Sequence, residues 1–125
     1  MSERNKRIAI DFYLMAFNQG KPEEAADKHM GADYRQHNPE VADGRTAFIE
    51  FVKSFRRRFP QFQIEIKRAL ADGDLVALHC LATTSPLDRG VALVDIFRIV
   101  DDKVVEHWDV IQRIPENSLN ANTMF

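Results

Sequence analysis

The chain has one cysteine, almost balanced charges and no long apolar run, and each of these limits its function. Cys80 has no second thiol for an internal disulfide, and its apolar neighbours in the sequence favour a buried packing role over a nucleophilic one. Nineteen acidic against seventeen basic residues give a formal charge of −2, so the chain offers nucleic acid no positively charged surface. The one basic cluster, Arg56-Arg57-Arg58, ends a predicted helix, where cations complement the helix dipole.

The sequence also lacks the features of membrane and secreted proteins. No apolar stretch approaches the length that crosses a membrane, so we expect no membrane partner. The first residues, Met1 to Lys6, run into a mixed helical pattern without the apolar core of a signal peptide. We therefore expect a soluble, cytoplasmic protein.

The chain length suits one domain. Its 125 residues, of which 45% are hydrophobic, leave little room for a second core. We predict a single domain over residues 1–115 and a C-terminal tail over residues 116–125. The tail is polar until Met124-Phe125, so disorder is the first expectation. The alternative is that these apolar residues dock at a pocket mouth or on a partner subunit.

The first half of the chain has the apolar periodicity of helices. One helix is predicted over residues 3–18 and a second over residues 22–30, with a proline in its first turn. A third helix follows Asp43-Gly44 and ends at Pro60. Between the second and third helices, residues 34–39 break the helical pattern and are predicted to be irregular.

The second half of the chain alternates with a period of two, which is the pattern of half-buried strands. Turn signals at Asp72-Gly73-Asp74, Ser85–Arg89 and Asp101-Asp102 divide it into four segments. The predicted strands are 62–67, 75–84, 91–100 and 104–114. Four antiparallel strands after three helices define an α+β fold. The two middle strands are apolar on both faces, so we predict a homodimer that covers the face away from the helices.

Three polar residues, His79, Asp95 and Asp109, interrupt the apolar faces of the strands. If the last turn is a three-residue loop centred on Asp102, then Asp95 lies opposite Asp109. If the preceding loop is centred on Leu87, then His79 lies opposite Asp95. The three side chains would then form a row, with roughly 4.5–5.5 Å between neighbouring Cβ atoms.

This register depends on the length of the last turn. A two-residue loop at Asp101-Asp102 would instead pair Asp95 with Trp108 and turn Asp109 to the opposite face. His107 shares the face of Asp109 in either case, because side chains alternate along a strand.

The predicted row has a definite chemistry. Two carboxylates in an apolar cavity repel each other when both are ionised, so the pKa of one rises and that group serves as an acid or hydrogen-bond donor. A neighbouring His79 would hold the other carboxylate ionised. Such a pair suits the removal of a proton from a carbon next to a carbonyl group, with a donor that stabilises the enolate.

Residues 95–98 (Asp-Ile-Phe-Arg) and 101–109, which end in Glu-His-Trp-Asp, resemble the SnoaL-like polyketide cyclases. This family belongs to the superfamily with the nuclear transport factor 2-like cone fold, which also includes ketosteroid isomerase. Residues 36–39 (Gln-His-Asn-Pro) and 43–44 fit the same pattern, and the resemblance covers roughly residues 3–115. It implies a curved antiparallel sheet wrapped on three helices, a pocket between them, and dimerisation through the sheet.

The resemblance also assigns roles to single residues. The acid–base aspartate of the cyclases matches Asp109, and their pocket histidine on the preceding strand matches Asp95. The isomerases carry an acidic hydrogen-bond donor at this second position, which agrees with Asp95. Their catalytic base falls near Asn38, and an amide cannot act as a base, so we do not expect steroid isomerase activity. The family works without cofactor or metal, and we predict neither here, although His79, Asp95, His107 and Asp109 are metal-ligating residue types.

We therefore predict three catalytic residues, Asp109, Asp95 and His79. The predicted substrate-binding residues are His37, His107, Asn38 and Tyr13. Structural alternatives remain for several of them, such as an ion pair of Asp109 with Arg113 or simple core packing of Tyr13.

The predicted function is that of a cofactor-independent lyase or isomerase of the aldol-condensation or cyclase type. Its substrate would be a small hydrophobic carbonyl compound bound in an enclosed pocket. The alternatives are a noncatalytic ligand-binding module of the same fold, or a hydrolase or dehydratase with a positioned water molecule in the same pocket.

Overall fold

The computed structural model describes residues 2–125. Three helices and five strands make up the fold: α1 (Ser2–Ala16), α2 (Pro22–His29), β1 (Met30–Gln36), α3 (Arg45–Arg58), β2 (Gln63–Asp72), β3 (Leu75–Thr83), β4 (Val91–Val100) and β5 (Lys103–Arg113). The strands form one sheet in the order β1-β5-β4-β3-β2. Among the described residues, no helix is long and apolar enough to cross a membrane. The predicted α+β class is confirmed.

The sheet has one strand that the periodicity did not indicate. Residues predicted as the end of the second helix and an irregular segment form β1, which pairs in parallel with β5. Met30 lies opposite Val104 and Gln36 lies opposite His107. Parallel partners are distant in sequence, so neither strand carries a local turn signal for this pairing. The sheet is therefore mixed, where a purely antiparallel meander was predicted.

One face of the sheet, called here the inner face, packs against the helices. Phe12 of α1 is fully buried between α3 and β4: its ring stacks on Phe48 at 5.0 Å and meets the edge of Phe97 at 6.0 Å. Leu78 and Leu93 extend this core along the neighbouring strands. Burial of these large apolar side chains, each contributing about 1.5–3 kcal/mol, holds the helices to the sheet.

The last hairpin turns through two residues, where three were predicted. Val100 pairs with Lys103 across the turn. Asp101 and Asp102 have positive φ angles of 51° and 64°. Such a turn matches the right-handed twist of the flanking strands, and aspartate is among the residues that adopt this backbone.

A bulge next to this turn restores the predicted pairing. The register of β4 and β5 shifts between Arg98 and Ile99, because Val105 has no partner on β4. Beyond the bulge, Asp95 lies opposite Asp109. The predicted pairing is confirmed, although the turn length on which it rested is wrong.

The register of the preceding hairpin contradicts the rest of the predicted row. His79 pairs with Val94, so its predicted pairing with Asp95 is wrong by one residue. The last pair of this ladder is Ala82 with Val91, so the connection between these two residues contains an even number of residues. The prediction assumed an odd number. A slip of one residue moves a side chain to the other face, and His79 accordingly points away from the helices.

The face of the sheet away from the helices, called here the outer face, is largely apolar. Val94, Ile96, Trp108 and Val110 lie on it, and Val110 is 67% exposed. Residues 116–123 of the tail are exposed, but Met124 and Phe125 are half-buried. The Phe125 ring lies 5.3 Å from the His79 ring. The end of the tail thus rests on the outer face of the same chain.

Deletion of Val105 should prevent stable folding, because β5 without its bulge would turn Trp108 inward and Asp109 outward. We expect the free energy of unfolding to fall by more than about 4 kcal/mol, as for other severe core disruptions. Urea denaturation followed by circular dichroism measures this. Deletion of the exposed tail residue Ser118 is the control and should stay within about 0.5 kcal/mol of wild type. Wild-type stability of the Val105 deletion would show that the bulge does not set the register.

Candidate functional site

A cavity of about 180 Å³ lies between the inner face and the helices. Its wall is mainly aromatic and includes Tyr13, Phe17, Tyr34, Phe48, Phe51, Phe55, Phe62 and Phe97. An apolar cavity of about 150 Å³ holds a benzene molecule. The cavity therefore has room for one six-membered ring with small substituents.

The polar side chains of the cavity come mainly from β1, β5 and the loop after β1. Gln36 and His107 lie opposite each other in the parallel ladder. Tyr34 precedes Gln36 by two residues, Asn38 follows it by two, and Asp109 follows His107 by two. Because alternate residues of an extended chain share a face, all five side chains line the same cavity.

Asp109 is held by an amide whose own orientation is fixed. The Asn38 Nδ2 group donates to both carboxylate oxygens of Asp109, at 3.2 and 3.0 Å. The Asn38 Oδ1 atom accepts the backbone N–H of Glu40 at 2.9 Å, so the amide cannot be reversed without losing that bond. The Asp109 side chain remains 12% exposed. It therefore faces the cavity as an oriented carboxylate.

Asp95 lies behind the cavity wall and is completely buried. The Tyr13 hydroxyl donates to its Oδ2 at 2.9 Å, and its Oδ1 lies 2.9 Å from His107 Nε2. Burial raises the pKa of Asp95, while the hydrogen bonds from His107 and Tyr13 oppose this rise. The charge of Asp109 is the smallest of these influences. The predicted repulsion between the carboxylates is thus a minor cause beside desolvation.

The hydrogen bonds of His107 show where its protons lie. Gln36 Oε1 accepts the backbone N–H of Asn38 at 3.1 Å, so this atom is the amide oxygen. His107 Nδ1 lies 2.7 Å from the same oxygen and must donate to it. One proton then remains between His107 Nε2 and Asp95. With that proton the pair carries no net charge, whichever of the two groups holds it.

Comparisons with known proteins agree with this fold. The family model of the SnoaL-like polyketide cyclases matches residues 7–116. The chain belongs to this family. No curated protein matches it.

Solved structures of low sequence identity share the fold of this SnoaL-like protein. TsrD from Streptomyces laurentii is 20% identical, with a TM-score of 0.73 over 89% of this chain and 90% of TsrD. AclR from Streptomyces galilaeus, proposed to be a hydroxylase, is 24% identical, with a TM-score of 0.71 over 90% and 91%. A protein from Agrobacterium tumefaciens, proposed to be an isomerase of the SnoaL-like family, is 14% identical, with a TM-score of 0.72 over 88% and 98%.

Three side chains of this SnoaL-like site are of metal-ligating types. Ligand atoms of Asp95, His107 and Asp109 lie within 4.8 Å of one another. A divalent ion among them would have to replace the His107–Asp95 hydrogen bond and displace the proton that these two groups share. The donor set in this arrangement therefore fits a shared proton better than an ion.

Two predicted site residues face away from the cavity. His79 lies on the outer face, where its Nδ1 hydrogen-bonds with Arg68. The His37 ring also faces outward: its Nε2 lies 2.7 Å from Glu106 Oε2, and it stacks on Trp108 with 4.8 Å between ring centroids. His37 lies between two inward-facing residues of an extended segment, so alternation turns it outward. Treating residues 34–39 as irregular concealed this alternation.

Of the residues predicted for the site, the structure brings five together: Tyr13, Asn38, Asp95, His107 and Asp109. It adds Gln36, which joins His107 to the loop after β1, and Tyr34, which lines the same end of the cavity. The alternation of Tyr34, Gln36 and Asn38 is the sequence signal that would have identified both.

Replacement of Asp95 by asparagine should change how stability depends on pH. The pKa of Asp95 is raised in the folded state, so its contribution is fully present below the unfolded pKa and is lost as the pH rises through the folded pKa. Each unit between the two pKa values corresponds to about 1.4 kcal/mol. The amide introduced by Asp95→Asn would keep an acceptor for Tyr13 and a donor for His107 without this loss.

Urea denaturation between pH 4 and pH 9 tests this prediction. The wild type should lose more stability toward high pH than Asp95→Asn does. Asp101→Asn, at an exposed turn position, serves as the control and should follow the wild-type curve. Parallel curves for the wild type and Asp95→Asn would mean that Asp95 does not titrate as stated.

Proposed function

We propose that this protein catalyses a cofactor-independent aldol or cyclase-type reaction on a small, uncharged, hydrophobic carbonyl compound. The observation that carries this proposal is the oriented Asp109 carboxylate at the polar end of an aromatic cavity. Family membership supports the reaction class, because the family model is that of polyketide cyclases. Fold alone does not fix activity, so the reaction is argued from the side chains.

Asp109 would act first as a base and then as an acid. Its carboxylate removes a proton from the carbon next to a carbonyl group of the substrate, which leaves an enolate. The enolate carbon forms a bond to a second carbonyl carbon, whose π electrons move to its oxygen. The alkoxide formed there takes the proton back from Asp109. The reaction therefore consumes no external proton, oxidant or reductant.

The Asp95–His107 pair would keep this end of the cavity from carrying a second negative charge. With one proton between His107 Nε2 and Asp95 Oδ1, which lie 2.9 Å apart, this pair carries no net charge beside Asp109. A second ionised carboxylate beside Asp109 would oppose the formation of an enolate. The polar groups of His107 and Tyr13 are bonded to Asp95, so they would not contact the reacting atoms. Both residues would act on the site through Asp95.

The charges around the cavity argue for an uncharged substrate. Its described lining contains Asp109 and Glu40 but neither lysine nor arginine. A substrate carboxylate or phosphate would be removed from water without a cationic partner, which costs several kcal/mol. Uncharged esters and ketones that contain one ring match both the lack of cationic side chains in the lining and the size of the cavity.

Asp109→Asn should abolish the exchange of α-protons of a bound ketone. In D₂O, wild-type protein should catalyse deuterium incorporation at the carbon next to the carbonyl of acetophenone, measured by proton NMR. Because general acid–base groups contribute typically 10²–10⁴-fold, we expect a loss of at least about 100-fold in Asp109→Asn. The Asp101→Asn control should exchange at the wild-type rate. Equal exchange rates in wild type and Asp109→Asn would refute the assignment.

The same experiment separates the alternatives. A noncatalytic binding module is supported by one observation: every buried polar side-chain atom of the described residues has a hydrogen-bond partner. Such a module would bind acetophenone without exchange. A hydrolase or dehydratase needs a water molecule between Asp109 and Asp95, but Asp95 is sealed behind Tyr13 and His107.

We also propose that the protein is a homodimer that buries the outer face. A second copy of this apolar surface would cover Trp108 and Val110, which otherwise contact water. A two-fold axis on this face would bring the same patch of both subunits together.

Val110→Glu should convert the dimer to a monomer, because it places two buried charges next to each other across the axis. Sedimentation velocity at micromolar concentration measures the change. Leu119→Glu replaces another exposed aliphatic residue, in the tail, and should remain dimeric. A monomeric wild type, or a dimeric Val110→Glu, would count against this interface.

A further inference from the structure

Tyr34 occupies a special position among the polar groups of the cavity. It lies on β1 and is only 4% exposed, and its ring packs against Phe48 with 5.8 Å between centroids. It lines the cavity together with Asp109. Its phenol is also close enough to Asp95 and Asp109 for both carboxylates to affect its pKa. Tyr34 is therefore part of the same cavity in which Asp109 would act.

The polar groups of Asn38, Tyr13 and His107 are already engaged. The Asn38 Nδ2 group donates to both carboxylate oxygens of Asp109, and the Tyr13 hydroxyl donates to Asp95. His107 uses Nδ1 for Gln36 and faces Asp95 with Nε2. Each of these groups would have to break a hydrogen bond before it could meet a ligand oxygen, and that loss would weaken its interaction with the ligand.

The Tyr34 hydroxyl has no such commitment. Among residues 2–125, no group accepts a hydrogen bond from it within normal distance. The oxygen of the Gln36 amide accepts hydrogen bonds from His107 and Asn38. Only the amide nitrogen is left to face Tyr34, and it can donate to the phenol oxygen but cannot accept from the hydroxyl. Burial raises the pKa of Tyr34 and the charge of Asp95 raises it further, while Gln36 opposes the rise. The phenol therefore keeps its proton at any physiological pH.

We propose that the Tyr34 hydroxyl donates a hydrogen bond to the carbonyl oxygen of the substrate and stabilises the enolate oxygen that forms when Asp109 removes the proton. This role rests on the proposed function. A donor that is fixed before reaction, in a site with little water, stabilises developing charge without reorganisation. Tyr34 would then be a catalytic residue beside Asp109, with base and donor supplied by two different strands, β5 and β1.

A pair of matched ligands tests this role independently of turnover. Acetophenone and 2-phenylpropene have nearly the same shape, but only acetophenone has an oxygen that accepts a hydrogen bond. The wild type should prefer acetophenone, and Tyr34→Phe should reduce that preference by roughly tenfold, as expected for one lost hydrogen bond in a buried site. Isothermal titration calorimetry gives both affinities. Asp101→Asn, at an exposed turn outside the cavity, is the control and should keep the wild-type preference.

The infrared band of the bound carbonyl gives a second readout that a packing role of Tyr34 would not move. A hydrogen bond lowers the C=O stretching frequency, so the band of acetophenone in wild-type protein should lie below its position in Tyr34→Phe. Phenylalanine preserves the ring that packs on Phe48, and circular dichroism checks that the variant is folded. An unchanged band and an unchanged preference in Tyr34→Phe would overturn the proposal, because another donor would then meet the carbonyl.

The outcomes separate this inference from the proposed function. If the wild type binds both ligands equally, no donor meets the carbonyl and the role of Tyr34 is refuted. If Tyr34→Phe loses the preference and the band shift but the wild type exchanges no α-protons, then the donor is confirmed and the acid–base function fails. If exchange occurs and depends on Asp109 while Tyr34→Phe changes nothing, the function stands and this inference fails.

Discussion

The hydrogen bond between His107 and the buried carboxyl group of Asp95 joins the parts of the molecule that form the site. It links β5 to β4, while the other ring nitrogen of His107 links β5 to Gln36 on β1. The second oxygen of Asp95 accepts from Tyr13, which ties α1 to the same point. A fully buried polar group without partners is costly, so this network requires one arrangement of three strands and a helix. The position of Asp109, two residues beyond His107, follows from that arrangement.

Burial, and not repulsion between carboxylates, is the main cause of the raised pKa of Asp95. Asp95 has no exposed surface, and desolvation is the main reason that its pKa is raised. Asp109 remains partly exposed to the cavity and accepts two contacts from the Asn38 amide. Two residues that lie directly opposite each other in a ladder therefore differ in burial and in hydrogen-bond partners. An amide at position 38 suits this division, since it orients Asp109 without adding another charge.

The sequence predicted the three helices, the four antiparallel strands and the pairing of Asp95 with Asp109, because alternation and turn signals are local. The predictions were wrong where the structure depends on a residue distant in sequence or on the number of residues in a loop. Strand β1 depends on β5, about seventy residues later, and His79 depends on whether a loop encloses an even or odd number of residues. The bulge at Val105 offset the error in turn length. The family motif supported Asp109 independently of that arithmetic.

Alternation along residues 36–38 places neighbouring side chains on opposite faces of the sheet. His37 stacks on Trp108 on the outer face, while Asn38 holds Asp109 inside. The same backbone segment therefore receives contacts from both faces, and the His37 amide adds a hydrogen bond to the carbonyl of His107. A partner subunit that covers Trp108 would restrict the His37 ring and, through one peptide link, the amide that orients Asp109. The proposed dimer contact and the orientation of the candidate base would in this way depend on one short segment.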